Sequence, residues 1–163
     1  MAITNQKSTQ ETNRTANPPV KNPAYNSGGR ERVAYFGFTQ SGIGDIGSTV
    51  DLINLPPGKV RLLKTDSKFV CSAFGALRTL SIGHLAYTKP DGSAVAAVTD
   101  NILTAGDVSA AAAIACGAGA NALGDDPTIL FESKDGVTLQ ASVAGGTIPD
   151  LATLKGFFTF VVD

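Results

Sequence analysis

The sequence predicts an all-β body, an antiparallel sandwich or barrel, behind an extended polar N-terminal arm. Three observations predict this class. Short runs rich in β-branched and aromatic residues recur between turn signals. One run, residues 136–143, alternates cleanly, with Val137, Leu139, Ala141 and Val143 on one face and Thr138, Gln140 and Ser142 on the other. Only one stretch of the chain reads as helix. Leu, Ile, Val and Phe make up 42 of 163 residues, which is enough apolar material for a packed core.

The elements follow in chain order. Residues 1–32 form the arm. They are rich in Asn, Thr, Ser, Lys and Pro, and Pro18, Pro19 and Pro23 oppose a helix. Gly28 and Gly29 mark a flexible junction. The body is residues 33–163. Residues 33–39 (VAYFGFT) open it as a strand. A turn at Pro56, Pro57 and Gly58 precedes KVRLLK (59–64), and KFVCSAF (68–74) and TLSIGHLAY (79–87) come next. In the last of these, Leu80, Ile82 and Ala86 are expected to share a face. KPDG (89–92) is a strong turn. DVSAAAAIAC (107–116) predicts a short helix with Asp107 as its N-cap, stopped by Gly117 and Gly119. TILFES (128–133) and residues 136–143 are expected to pair as a hairpin through Lys134, Asp135 and Gly136. LKGFFTFVV (154–162) is apolar on both faces and predicts a central strand.

Charge divides the chain. The arm carries five cations and two anions, a net +3, against −4 for the body. The total of −1 opposes a nucleic-acid binder that works by phosphate neutralisation. No apolar run is long enough to predict a membrane span, and the N-terminus lacks the apolar core of a signal peptide. In the arm, Val20 and Tyr25 are candidate apolar anchors, and Arg14, Lys21, Arg30 and Arg32 are candidate cations for an acidic partner surface. Ordering such a segment costs about 1–2 kcal/mol per residue in backbone entropy, so it should gain order by lying along a partner.

No motif predicts catalysis, a cofactor or a metal. Gly42, Gly44 and Gly47 match G-x-G-x-x-G, but the residues that follow cannot form the helix that a dinucleotide site requires. His84 is the single histidine and sits inside a strand pattern without a nucleophile motif. One histidine with Cys71 and Cys116 does not make a zinc set, and both thiols read as buried small hydrophobes. Asp125, Asp126 and Asp150 read as loop acids, since the calcium-loop pattern is absent. Asn13, Arg14 and Thr15 spell a glycosylation sequon that has meaning only on a secretory route.

The body also resembles a known family. The resemblance runs through a glycine-rich start, LPPGKVRLL (55–63), TLSIGHLAY (79–87), ILTAGDVSAAA (102–112) and the closing stretch 136–163. In this order the chain resembles small virion structural proteins of tailed bacteriophages, especially capsid decoration or cement proteins. The likeness covers about residues 45–163 and leaves the arm outside. It implies a jelly-roll-like sandwich that forms a homo-oligomer, a dimer or trimer. It also implies binding to the major capsid protein on the outer capsid surface, after synthesis in the host cytoplasm. It carries over no catalytic residue. Two other functions compete: a tail or head–tail connector component, and a carbohydrate-binding host-attachment module. The second is disfavoured because Trp is absent and Tyr occurs only at 25, 35 and 87.

Overall fold

The structure, a computed structural model, describes residues 16–18, 20, 30–117 and 127–162. Among the described residues, eleven strands run in order: β1 (Arg30–Thr39), β2 (Thr49–Leu55), β3 (Gly58–Cys71), β4 (Thr79–His84), β5 (Tyr87–Thr88), β6 (Ala94–Val95), β7 (Val98–Asp107), β8 (Ala112–Ala115), β9 (Thr128–Ser133), β10 (Val137–Ala144) and β11 (Thr153–Val162). One sheet has the order β1-β11-β3-β8, with β9 also paired to β3. A second has the order β2-β10-β4-β7, and β5-β6 is a small ribbon. All pairings are antiparallel.

The pairings are nested. β1 pairs with β11, β2 with β10, β3 with β9 and β4 with β7. This is one long hairpin rolled up, the connectivity of a jelly roll. Each turn of the roll sends the chain from one sheet to the other, so the two inner faces close over a shared core. Phe69, Phe158 and Leu62 from the first sheet and Leu80, Ile82 and Leu139 from the second are fully buried in it. β11 lies between β1 and β3, as its two-sided apolar pattern predicts. The alternation of β10 also holds, since Val137, Leu139, Ala141 and Val143 are all buried. Leu80 and Ile82 share the buried face, but Ala86 lies past the end of β4 and is exposed.

Four expectations change. The helix over 107–116 is not formed, and no helix occurs among the described residues. Residues 112–115 are β8 instead, in register with Lys68–Cys71 of β3. Without β8, that half of β3 would lack ladder partners on this side. Satisfying those groups outweighs the helical preference of alanine, which is a few tenths of a kcal/mol per residue. Asp107 does not cap a helix. Its Oδ1 accepts from the Ser109 amide at 2.8 Å and closes a turn. Those bonds from Ser109 hold its carboxyl below the ordinary range.

The hairpin at Lys134–Gly136 is a sheet-to-sheet crossing. β9 pairs with β3, and β10 pairs with β2 and β4. The turn chemistry is right, with Gly136 at φ 98°, but both partners are distant in sequence. Residues 59–64 and 68–74 belong largely to one strand, β3, whose register slips at a bulge opposite Phe158. Ser67 closes that bulge: its Oγ donates to Leu63 O at 2.7 Å and accepts from Thr159 N at 3.1 Å. β1 begins at Arg30, three residues before the expected strand.

Candidate functional site

The antiparallel roll sorts its loops to two ends. Loops 40–48, 72–78, 108–111 and 145–152 gather at one end, here the tip. The start of β1, the end of β11, the β5–β6 ribbon and the 134–136 turn gather at the other. Arg30, the first residue of β1, therefore lies at the end opposite the tip.

Loop 40–48 is locked to loop 145–152. Gly44 and Ile148 form an isolated bridge. Gln40 N donates to Ala152 O at 2.8 Å, and Leu151 N donates to Gln40 O at 3.1 Å. Asp150 Oδ1 accepts from Gly42 N at 2.7 Å and from Leu151 N at 3.0 Å. The G-x-G-x-x-G stretch is thus an inter-strand loop held by an acid, and Asp150 is a loop acid as expected. Gly145, at φ 83°, passes so close beneath Leu77 that a β-carbon there would strike the Leu77 carbonyl.

This framework exposes large apolar side chains. Ile43 and Ile46 are each 75 % exposed, Leu77 is 87 % and Leu151 is 71 %. Leu77 and Leu151 have φ of 61° and 60°. A left-handed leucine costs about 1–2 kcal/mol. Neither is repaid by burial within the chain.

A second apolar surface lies on the outer face of the β1-β11-β3-β8 sheet, toward its tip end. Register sets two rows across the strands. Tyr35, Phe157, Lys68 and Ala115 form one, and Gly37, Lys155, Val70 and Ala113 form the next. Between them is an open groove of about 430 Å³. The Tyr35 and Phe157 rings are 6.0 Å apart and tilted by 59°. Tyr35 is 78 % exposed, and Lys68 and Lys155 line the groove with it. The other sheet presents Thr138, Gln140, Ser142 and Ser81 outward, with Gln140 Nε2 donating to Asp51 Oδ1 at 2.8 Å.

The histidine lies near the far end. His84 is buried, and its Nδ1 lies 2.9 Å from Leu85 O; since a carbonyl only accepts, Nδ1 carries the proton and donates. Its ring meets Phe131 and Tyr87 edge-on, each at 5.4 Å. Burial, with Glu132 nearby, pushes the Tyr87 hydroxyl above its ordinary pKa. The histidine is a packing element. Both thiols are buried and free, and burial pushes Cys116 up to about 12. Among the described residues, no group of three His, Cys, Asp or Glu side chains could hold a metal ion.

Of the arm residues, Val20 is exposed, and Arg30 and Arg32 are exposed at the start of β1, opposite Val162 and Phe160. Arg14, Lys21 and Tyr25 lie outside the described residues, as do Asp125, Asp126 and the sequon at Asn13. Arg30 and Arg32, the described cations of this set, lie at the start of β1, away from the groove and the tip. Sequence reasoning missed the tip leucines and the groove. Two isoleucines inside a glycine-rich loop, at 43 and 46, were the available signal for the tip.

No family model and no curated protein matches the sequence. Solved structures do match. A chain from the cyanophage Pam1 capsid asymmetric unit matches with a TM-score of 0.55 at 15 % identity, over 100 % of each chain. A chain of infectious bursal disease virus, Gt strain, matches with a TM-score of 0.47 at 11 % identity, over 82 % of this chain and 32 % of that one. A chain from the acid-stable capsid of Helicobacter pylori bacteriophage KHP30 matches with a TM-score of 0.33 at 10 % identity, over 82 % and 94 %. The cyanophage likeness is one of fold, and it spans both chains end to end.

Proposed function

We propose that this chain is a structural protein of a bacteriophage virion, a capsid decoration or cement protein. It binds the outer shell and stabilises contacts between capsomers. The observation that carries the reading is the end-to-end likeness of fold to a chain of a cyanophage capsid asymmetric unit. The surface supports it. The exposed features are apolar patches and charges, which suit binding to proteins rather than turnover of a substrate. The protein acts by covering and bridging, without catalysis.

The arm is the proposed attachment device. It leaves the body at Arg30 and bears the net +3 that the body lacks. Val20 and Tyr25 anchor it on an acidic shell surface, and Arg14, Lys21, Arg30 and Arg32 supply the charge. The test strips particles of this protein and adds back the full chain or a chain lacking residues 1–30. We expect the truncated body to fold but to occupy fewer sites, with less sensitivity to salt. Equal occupancy for both chains would show that the body docks alone. Counting copies per particle tests the reading itself. Hundreds fit decoration, whereas a dozen or fewer would assign the chain to a connector or tail.

A further inference from the structure

We infer that the tip of one copy docks into the sheet groove of a second copy, a head-to-tail contact between two different patches of the same chain. The inference stands on those two patches and is independent of the particle the chain belongs to.

The patches are complementary in polarity and charge. The tip projects Ile43, Ile46, Leu77 and Leu151. The groove offers an open apolar trough between Tyr35, Phe157 and Val70. Among the described residues, the exposed acids of the tip are Asp45, Asp107 and Asp150, and half-buried Arg78 donates to Thr147 Oγ1 at 3.4 Å. The groove carries Lys68 and Lys155, with Asp66 on the adjoining bulge. An apolar tip that bears carboxylates therefore meets an apolar trough lined by ammonium groups. The arm has the wrong sign for this trough, because its net charge is +3.

The tip is also built for contact. Two loops are fastened to each other by backbone bonds and Asp150, so the apolar side chains are held in place before any partner arrives. Pre-organisation of this kind lowers the entropy lost on binding. Both leucines hold left-handed backbone and remain in water, a strain that nothing inside the chain offsets. The partner is a second molecule, and repetition of one heterologous contact closes a ring or extends a chain of copies.

The test uses full-length protein in sedimentation velocity over a range of concentrations. A tip variant carries I43S, I46S and L151G, and a groove variant carries Y35S and V70T. Circular dichroism and the denaturation midpoint establish that each is folded. We expect the wild type to associate with rising concentration, and each variant alone to associate at least about tenfold more weakly. An equimolar mixture should recover a one-to-one heterodimer, because it retains one intact tip and one intact groove. A monomeric wild type would overturn the inference. So would a variant that associates as the wild type does, or a mixture that recovers nothing. The pair D45K and K155E supplies a second test if a multiple variant fails to fold. Each reversal should weaken association and the mixture should restore part of it; no restoration counts against the contact.

Discussion

The two ends of the roll treat apolar side chains in opposite ways. At the far end His84, Tyr87 and Phe131 meet edge to face, and Lys59 Nζ lies 3.0 Å from Glu132 Oε1 beside them. At the tip, four large aliphatic side chains face water, two of them on strained backbone. The residues at the far end stabilise the fold. Those at the tip do not, so they can be changed without unfolding the body. The same split separates the two outer sheet faces, one aromatic and grooved, the other a lawn of Thr, Ser and Gln.

Substitutions sharpen this contrast. Phe131→Ala should cost about 3–5 kcal/mol, because it empties a fully enclosed site between two rings. Urea unfolding monitored by circular dichroism reads it directly. His84→Ala should cost about 1–3 kcal/mol, through lost ring contacts and the lost bond to Leu85 O. Under the proposed virion role, particle assembly should survive it; a hydrolytic activity abolished by this change would make the histidine a functional group instead. Leu77→Gly and Leu151→Gly should go the other way. Relief of left-handed strain outweighs the added chain entropy of glycine, giving a gain of up to about 1 kcal/mol in each. A loss above 1 kcal/mol at the tip would erase the distinction between the ends. The smallest effect is kinetic. Cys71 ends β3 beside the tip, whereas Cys116 is pushed to about 12 by burial. A raised pKa leaves little thiolate at pH 8, so both should label slowly with a thiol reagent. Cys71 should react first, as the tip end opens. Faster labelling of Cys116 would place the weak point elsewhere.

The parts legible in the sequence were those set by local pattern. β10 alternates because one side meets the core and the other meets solvent, and β11 is apolar on both sides because it is central. The KPDG turn was readable for the same reason: Asp91 accepts from Ser93, and Gly92 N donates to Lys89 O at 2.9 Å. Pairing was not legible. Ala112–Ala115 has a helical composition, and only the open side of β3 makes it a strand. Lys134–Gly136 announces a turn but not that its two strands belong to different sheets. The groove needs Tyr35, Phe157 and Val70 side by side, and they are brought together from three distant segments. Leucine gives no hint that positions 77 and 151 hold positive φ. The candidate site was therefore much less readable than the fold.

The nested pairing also sets a timetable for synthesis. The inner pair, β4 with β7, closes a short span of chain, while β1 must wait for β11, the last of the described strands. Until then β1 has no ladder partner, and the sheet that includes β1 and β3 lacks its middle. A chain emerging from the ribosome can zip from the inside outward, each closure shortening the next, because loop entropy grows only slowly with length. The first sheet cannot be completed until β11 has emerged. A truncation that removes β11 should therefore leave β1 without the strand it pairs with and expose Phe69 and Leu62 together, so this one strand gates the closing of the first sheet.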